Sequence, residues 1–178
     1  NTDTCKEFDL MTFPGSIGNN YTGASQGGFE YSDSSYLAAG NYDADDNSRN
    51  VFVASVSKSG GTPVVRYFSN YAGTSDSATT PHLVKTGSNS FVLLWSSQGY
   101  VYYTAIDGTG QQVGSTYKMA ESSDCVPSII NGKLIWYAWK TTITHFMRSI
   151  FPISPPTMQQ ELRMVINMYT EQLSRIIR

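Results

Sequence analysis

The sequence predicts an all-β fold of antiparallel, propeller-like blades, about two to three and incomplete, followed by a C-terminal amphipathic helix. Three observations predict it. Short apolar runs alternate with a period of two, separated by links rich in Gly, Asn, Asp and Ser. The runs recur at matched offsets of 50 and 46 residues. Only 15% of residues are charged, below the roughly 25% usual in globular chains, while 15 Gly and 12 Tyr supply turns and strand faces. At 178 residues the chain buries a core without needing a metal or a disulfide.

The elements follow in order. A Gly/Ser-rich loop at 23–28 leads into the strand-like "FEYSDSSY". Apolar runs follow at "SSYLAAGNY" (34–42), "NVFVASVSKSGG" (50–61) and "TPVVRYFSNY" (62–71). Three more stand at "PHLVKTGSNSFVLLWSS" (81–97), "GYVYYTAIDGTG" (99–110) and "PSIINGKLIWYAWK" (127–140). Ser88-Asn89-Ser90, Ser97-Gln98-Gly99 and Asn131-Gly132 read as hairpin turns, the last a favoured type I′ pair. "VFVASVSKSG" (51–60) lies over "VYYTAIDGTG" (101–110), and the segment from Pro81 recurs from Pro127 with a shorter turn. A four-strand unit every 45–50 residues marks a propeller blade. Since propellers close with four or more blades, the chain is expected to be the end piece of a larger array.

Composition breaks near Lys140. All 15 Gly and 11 of 12 Tyr lie in 1–140, whereas four of six Met and four of six Arg lie in 141–178. The first part carries 8 basic and 12 acidic residues, the tail 4 and 2. Codons permitted by the tail include a choice that, read two nucleotides later, restores Asn, Gly and Tyr in a strand-like pattern. A shifted reading frame and a native C-terminal segment are the two readings. Within the tail, Pro155-Pro156 stops what precedes, and Thr157 with Gln160 forms a capping-box pattern. Met158, Leu162, Val165, Ile166, Tyr169, Leu173 and Ile176 then recur at helical spacing, which predicts a helix over about 157–177. Its apolar stripe is expected to dock on the blade that contains 126–139, or to drive self-association together with an exposed blade edge.

The segments "GGFEYSDSSYLAAGN", "RNVFVASV", "TPHLVKTGSNSFVLLW", "VYYTAIDGTGQQVGS" and "SDCVPSIINGKLIWYAW" resemble propeller-like repeats in secreted surface proteins of Clostridia-type Gram-positive bacteria. The resemblance covers residues 27–140. It implies a repeat architecture and an extracellular or cell-surface location, and it implies no reaction.

Several function classes are disfavoured. A net charge of −2 argues against electrostatic capture of nucleic acid. No run of 18 apolar residues predicts a transmembrane helix. Two isolated Cys and two isolated His lack zinc-ligand spacing, so no metal or organic cofactor is expected from them. Cys5 and Cys125 form one long-range disulfide or stay as two thiols. Gly23-Ala24-Ser25-Gln26-Gly27 matches the form of a nucleophile elbow, but strand-like sequence follows where that motif needs a helix.

Two candidate sites are left. Asp43, Asp45 and Asn47 imitate the first three ligand positions of a calcium loop, yet Ser48 and Ala54 stand where Gly and Glu belong. A looser Ca²⁺ site and a solvated Asp/Asn turn are the two readings of that cluster. Trp95, Tyr100, Tyr102, Trp136 and Trp139 form the aromatic supply for a ligand, since a ring face stacks on a sugar while its rim hydrogen-bonds. The competing reading is that these rings pack between blades. The expected function is therefore a non-catalytic extracellular or cell-surface binding module that recognises a glycan or a protein. An auxiliary part of a carbohydrate-active enzyme and a purely structural repeat are the alternatives.

Overall fold

The computed structural model describes residues 7–10, 25–43, 48–72, 77–119, 126–139 and 145–150, of which 25, 43, 137–139 and 145–150 are described as backbone. The described residues contain strands and turns and no helix. The helix expected over 157–177, Cys5 and Cys125 lie outside them. No helix among them is long and apolar enough to cross a membrane.

Among the described residues, eleven strands form three antiparallel sheets, each laid down in chain order. The first holds β1 (Ser25–Tyr31), β2 (Ser35–Asp43), β3 (Arg49–Ser57) and β4 (Val64–Tyr67). The second holds β5 (Thr79–Gly87), β6 (Ser90–Ser97), β7 (Tyr100–Asp107) and β8 (Gln112–Met119). The third holds β9 (Ser128–Ile130), β10 (Lys133–Trp139) and β11 (His145–Ile150). Strand pairing thus continues past Lys140 into the compositionally distinct tail, where β11 pairs with β10 from Leu134–Ile150 to Trp139–His145.

Short turns make these meanders because their residues accept left-handed backbone. The β9–β10 link has φ of 52° at Asn131 and 70° at Gly132, as a type I′ hairpin requires. The β6–β7 link repeats the pattern at Gln98 (50°) and Gly99 (76°). The turns after β3 and β7, 50 residues apart, close alike. Gly60 donates to the Ser57 carbonyl at 2.9 Å, and Gly110 to the Asp107 carbonyl at 3.1 Å.

The period-two alternation sorts side chains into separate cores. From β6, Phe91, Leu93 and Trp95 join Leu37, Val51 and Val53 between the first and second sheets. The intervening Val92 and Leu94 join Val101, Tyr103, Leu134 and Trp136 between the second and third. The second sheet is therefore the middle of three layers. A third, smaller cluster of Tyr42, Phe52 and Ala54, with Leu10 and Val65 against it, lies on the outward face of the first sheet.

Where β1 passes β5 the backbones nearly touch. A Cβ at Gly27 would stand 2.5 Å from the Pro81 carbonyl oxygen. Ser25 opens a strand in this arrangement, so the Gly23–Gly27 motif is not a strand-to-helix elbow.

Candidate functional site

Two of the three tryptophans expected to face a ligand, Trp95 and Trp136, lie inside the fold. Trp95 is 2% and Trp136 3% exposed, because alternate positions of β6 and β10 point into the two inter-sheet cores. The Trp95 indole N–H donates to the Tyr71 hydroxyl at 3.1 Å, and its ring stacks on Tyr102 at 5.7 Å and 12°. A sugar has no access to these faces, which corrects the expectation for Trp95 and Trp136. Tyr102 is half-buried against the same core. Tyr100 is half-buried too, with the Lys118 ammonium 3.7 Å from its ring centroid. Trp139 ends β10 opposite His145, and its side chain is outside the described set.

Of the calcium candidates, Asp43 ends β2 in register with Arg49, while Asp45 and Asn47 lie outside the described residues. Among the described residues no three His, Cys, Asp or Glu side chains converge. Two described carboxylates, Asp33 and Asp107, hold turns. Asp107 accepts from the Thr109 amide (2.8 Å), the Thr109 hydroxyl (2.8 Å) and the Gln111 amide (2.9 Å). Burial alone would raise its pKa, but these hydrogen bonds and the nearby Arg66 charge outweigh it and hold the carboxyl below its usual range. Asp33 accepts from the Asn89 amide at 2.6 Å, and its own N–H donates back to Asn89 at 3.0 Å. Beside it the buried Ser32 hydroxyl donates to the Gly108 carbonyl at 2.7 Å. These contacts tie the turns of the first sheet to those of the second.

That tied end supports an aromatic surface on the outward face of the first sheet. Phe29 and Tyr31, two apart on β1, share a face with Tyr36, which is opposite Tyr31 on β2. The register carries the same face across β3 to Phe52 and on to Tyr67 of β4. Phe29 is 62%, Tyr31 54% and Tyr67 45% exposed. Phe29 stacks with Tyr36 at 6.0 Å and 19°, and Tyr67 meets Phe52 edge-on at 6.0 Å. Two ammonium groups converge on this surface. Lys58 Nζ lies 4.9 Å from the Tyr31 centroid and 5.6 Å from that of Tyr36. Lys85 Nζ lies 3.7 Å from the Tyr31 centroid and donates to the Tyr31 carbonyl at 2.5 Å. Rings supported by a sheet, with ammonium groups over Tyr31 and Tyr36, suit stacking on apolar faces at the uncovered rings and attraction of carboxylate or phosphate.

Sequence reasoning missed this group. Its signal was the alternation Phe29-Glu30-Tyr31 followed by Tyr36 across a short turn, which puts three rings on one face. Which face would stay uncovered depends on how the sheets stack, and strand patterning does not encode that. No protein-family model, curated protein or solved structure significantly matches the chain.

Proposed function

We propose that this chain is a non-catalytic binding module of an extracellular or cell-surface protein, built of propeller-like blades, which holds a glycan on the outward face of its first sheet. The observation that carries this reading is the exposed set Phe29, Tyr31 and Tyr67 with Lys58 and Lys85 at its edge. Aromatic side chains expose area at low entropic cost, and two lysines favour a glycan bearing carboxylate or phosphate groups. The blade reading draws support from the repeat offsets. Residues 51–60 and 101–110 fall on the third strand and following turn of successive sheets. The segments from Pro81 and Pro127 fall on the first two strands of the second and third.

The test is retention of the chain on an immobilised uronic-acid polysaccharide and on a neutral glucan. Retention on the acidic polymer is expected, weakened at least tenfold (about 1.4 kcal/mol) by Tyr31→Ala or Lys58→Ala and by raised salt. Retention on neither polymer, or retention indifferent to both variants while they stay folded, contradicts the proposal.

A second reading has its own observation. Tyr102 and Ile106 of β7 pack toward the first sheet, and at the 50-residue offset they correspond to Phe52 and Val56 of β3. The outward face of the first sheet thus occupies the position that the second sheet uses for stacking, as in a purely structural repeat. Failure to bind either polymer favours this reading.

A further inference from the structure

The joint between the second and third sheets leaves polar atoms unmatched. Among the described residues, His82 Nε2 and Trp136 Nε1 are both buried without a hydrogen-bond partner. Both residues line one cavity of ≈10 Å³, with Thr80 and Ser96 as the other polar members and Leu94 and Val101 among the apolar ones. A buried donor or acceptor left unmatched destabilises a fold, so a joint with two such atoms favours a bridging group. An indole N–H only donates, whereas the unprotonated nitrogen of a neutral imidazole only accepts. With the imidazole proton on Nδ1, the two atoms are one acceptor and one donor, and neither a pure donor nor a pure acceptor satisfies both. Water does both, and the cavity is about the size that one water needs. The backbone beside the cavity is irregular: β5 shifts register between Thr79 and His82, and Thr80 takes a φ of 45° that β-branched residues rarely adopt.

We propose that one ordered water sits in this cavity, accepting from Trp136 Nε1–H and donating to His82 Nε2, and that it makes the docking of the third sheet on the second sensitive to acid. Protonating His82 turns its acceptor into a donor and leaves a cation in an apolar joint. The charged residues of the strands around the cavity are Glu30 on β1, Asp43 at the end of β2, Arg49 on β3, Lys85 on β5, Asp107 on β7, Lys118 on β8, Lys133 on β10 and Arg148 on β11, the last in register with Trp136. None of those whose side chains are described lines it. Burial alone lowers the imidazole's pKa from its ordinary 6.5. With the folded-state pKa depressed, the unfolded chain binds the proton first. The stabilisation is then complete above pH 6.5 and drains away as the pH falls from there through the folded pKa.

Two measurements test this. Denaturation midpoints of the whole chain, followed from pH 7.5 to 5, should fall for the wild type and stay nearly flat for His82→Gln, which keeps an acceptor but does not titrate. An equal pH slope in both proteins overturns the proposal. On the unaltered chain, NMR should show a water cross-peak to the Trp136 indole proton and a His82 titration midpoint below 6.5. Absence of that cross-peak, or a midpoint at or above 6.5, overturns it without relying on a variant that folds.

Discussion

Gly27 and Pro81 meet so closely that a single methyl group would separate the first two sheets. An added Cβ would lie 2.5 Å from the Pro81 oxygen and 2.7 Å from its carbon, and both are backbone atoms unable to swing aside. Overpacking of this kind costs about 1–3 kcal/mol. Gly27→Ala is therefore expected to lower the unfolding free energy by that amount and so the midpoint of chemical denaturation, with an unchanged midpoint as the contrary result. The sequence marked Gly27 only as part of a loop, since a close approach between strands 54 residues apart leaves no local trace. The tryptophans carry a related lesson. Alternation put Trp95 on one face of β6, but whether that face was wet depended on the first sheet, and Tyr71 from the intervening link closes over its indole.

Strands differ in how plainly they announce themselves. β6 is apolar at both parities, from Phe91 to Trp95, because one set of side chains enters each core. β8 is exposed at seven of its eight positions, carries few apolar residues and escaped notice as an apolar run. β11 was hidden differently, inside a tail whose Met, Arg and Pro content sets it apart. The hairpin links were legible because Asn-Gly chemistry is local, and Asn131 and Gly132 both have positive φ. The contrast between β6 and β8 is measurable. Leu93→Ala and Leu94→Ala point into different cores, and each should cost about 2–5 kcal/mol by denaturant titration. Val113→Ser, on an exposed position of β8, should stay within about 0.5 kcal/mol. Equal losses at 93, 94 and 113 would contradict the layered arrangement.

At the scale of the molecule, three meanders stack in chain order and leave one broad aromatic face pointing outward. The offsets of 50 and 46 residues made the succession of strand units legible. They did not reveal that the first sheet would expose rings from β1 and β4 while the tryptophans of β6 and β10 are buried, because only the stacking of the sheets decides which faces are covered. That outward face is the proposed contact surface for an acidic glycan. The most direct measurement is a titration of the isotopically labelled chain with a uronic-acid oligosaccharide, followed by ¹H–¹⁵N correlation spectra. Shift changes should gather at 29–31, 36, 58, 67 and 85 while residues of β6 and β10 stay still. Changes spread evenly over the chain, gathered on the third sheet, or absent at saturating oligosaccharide would contradict it.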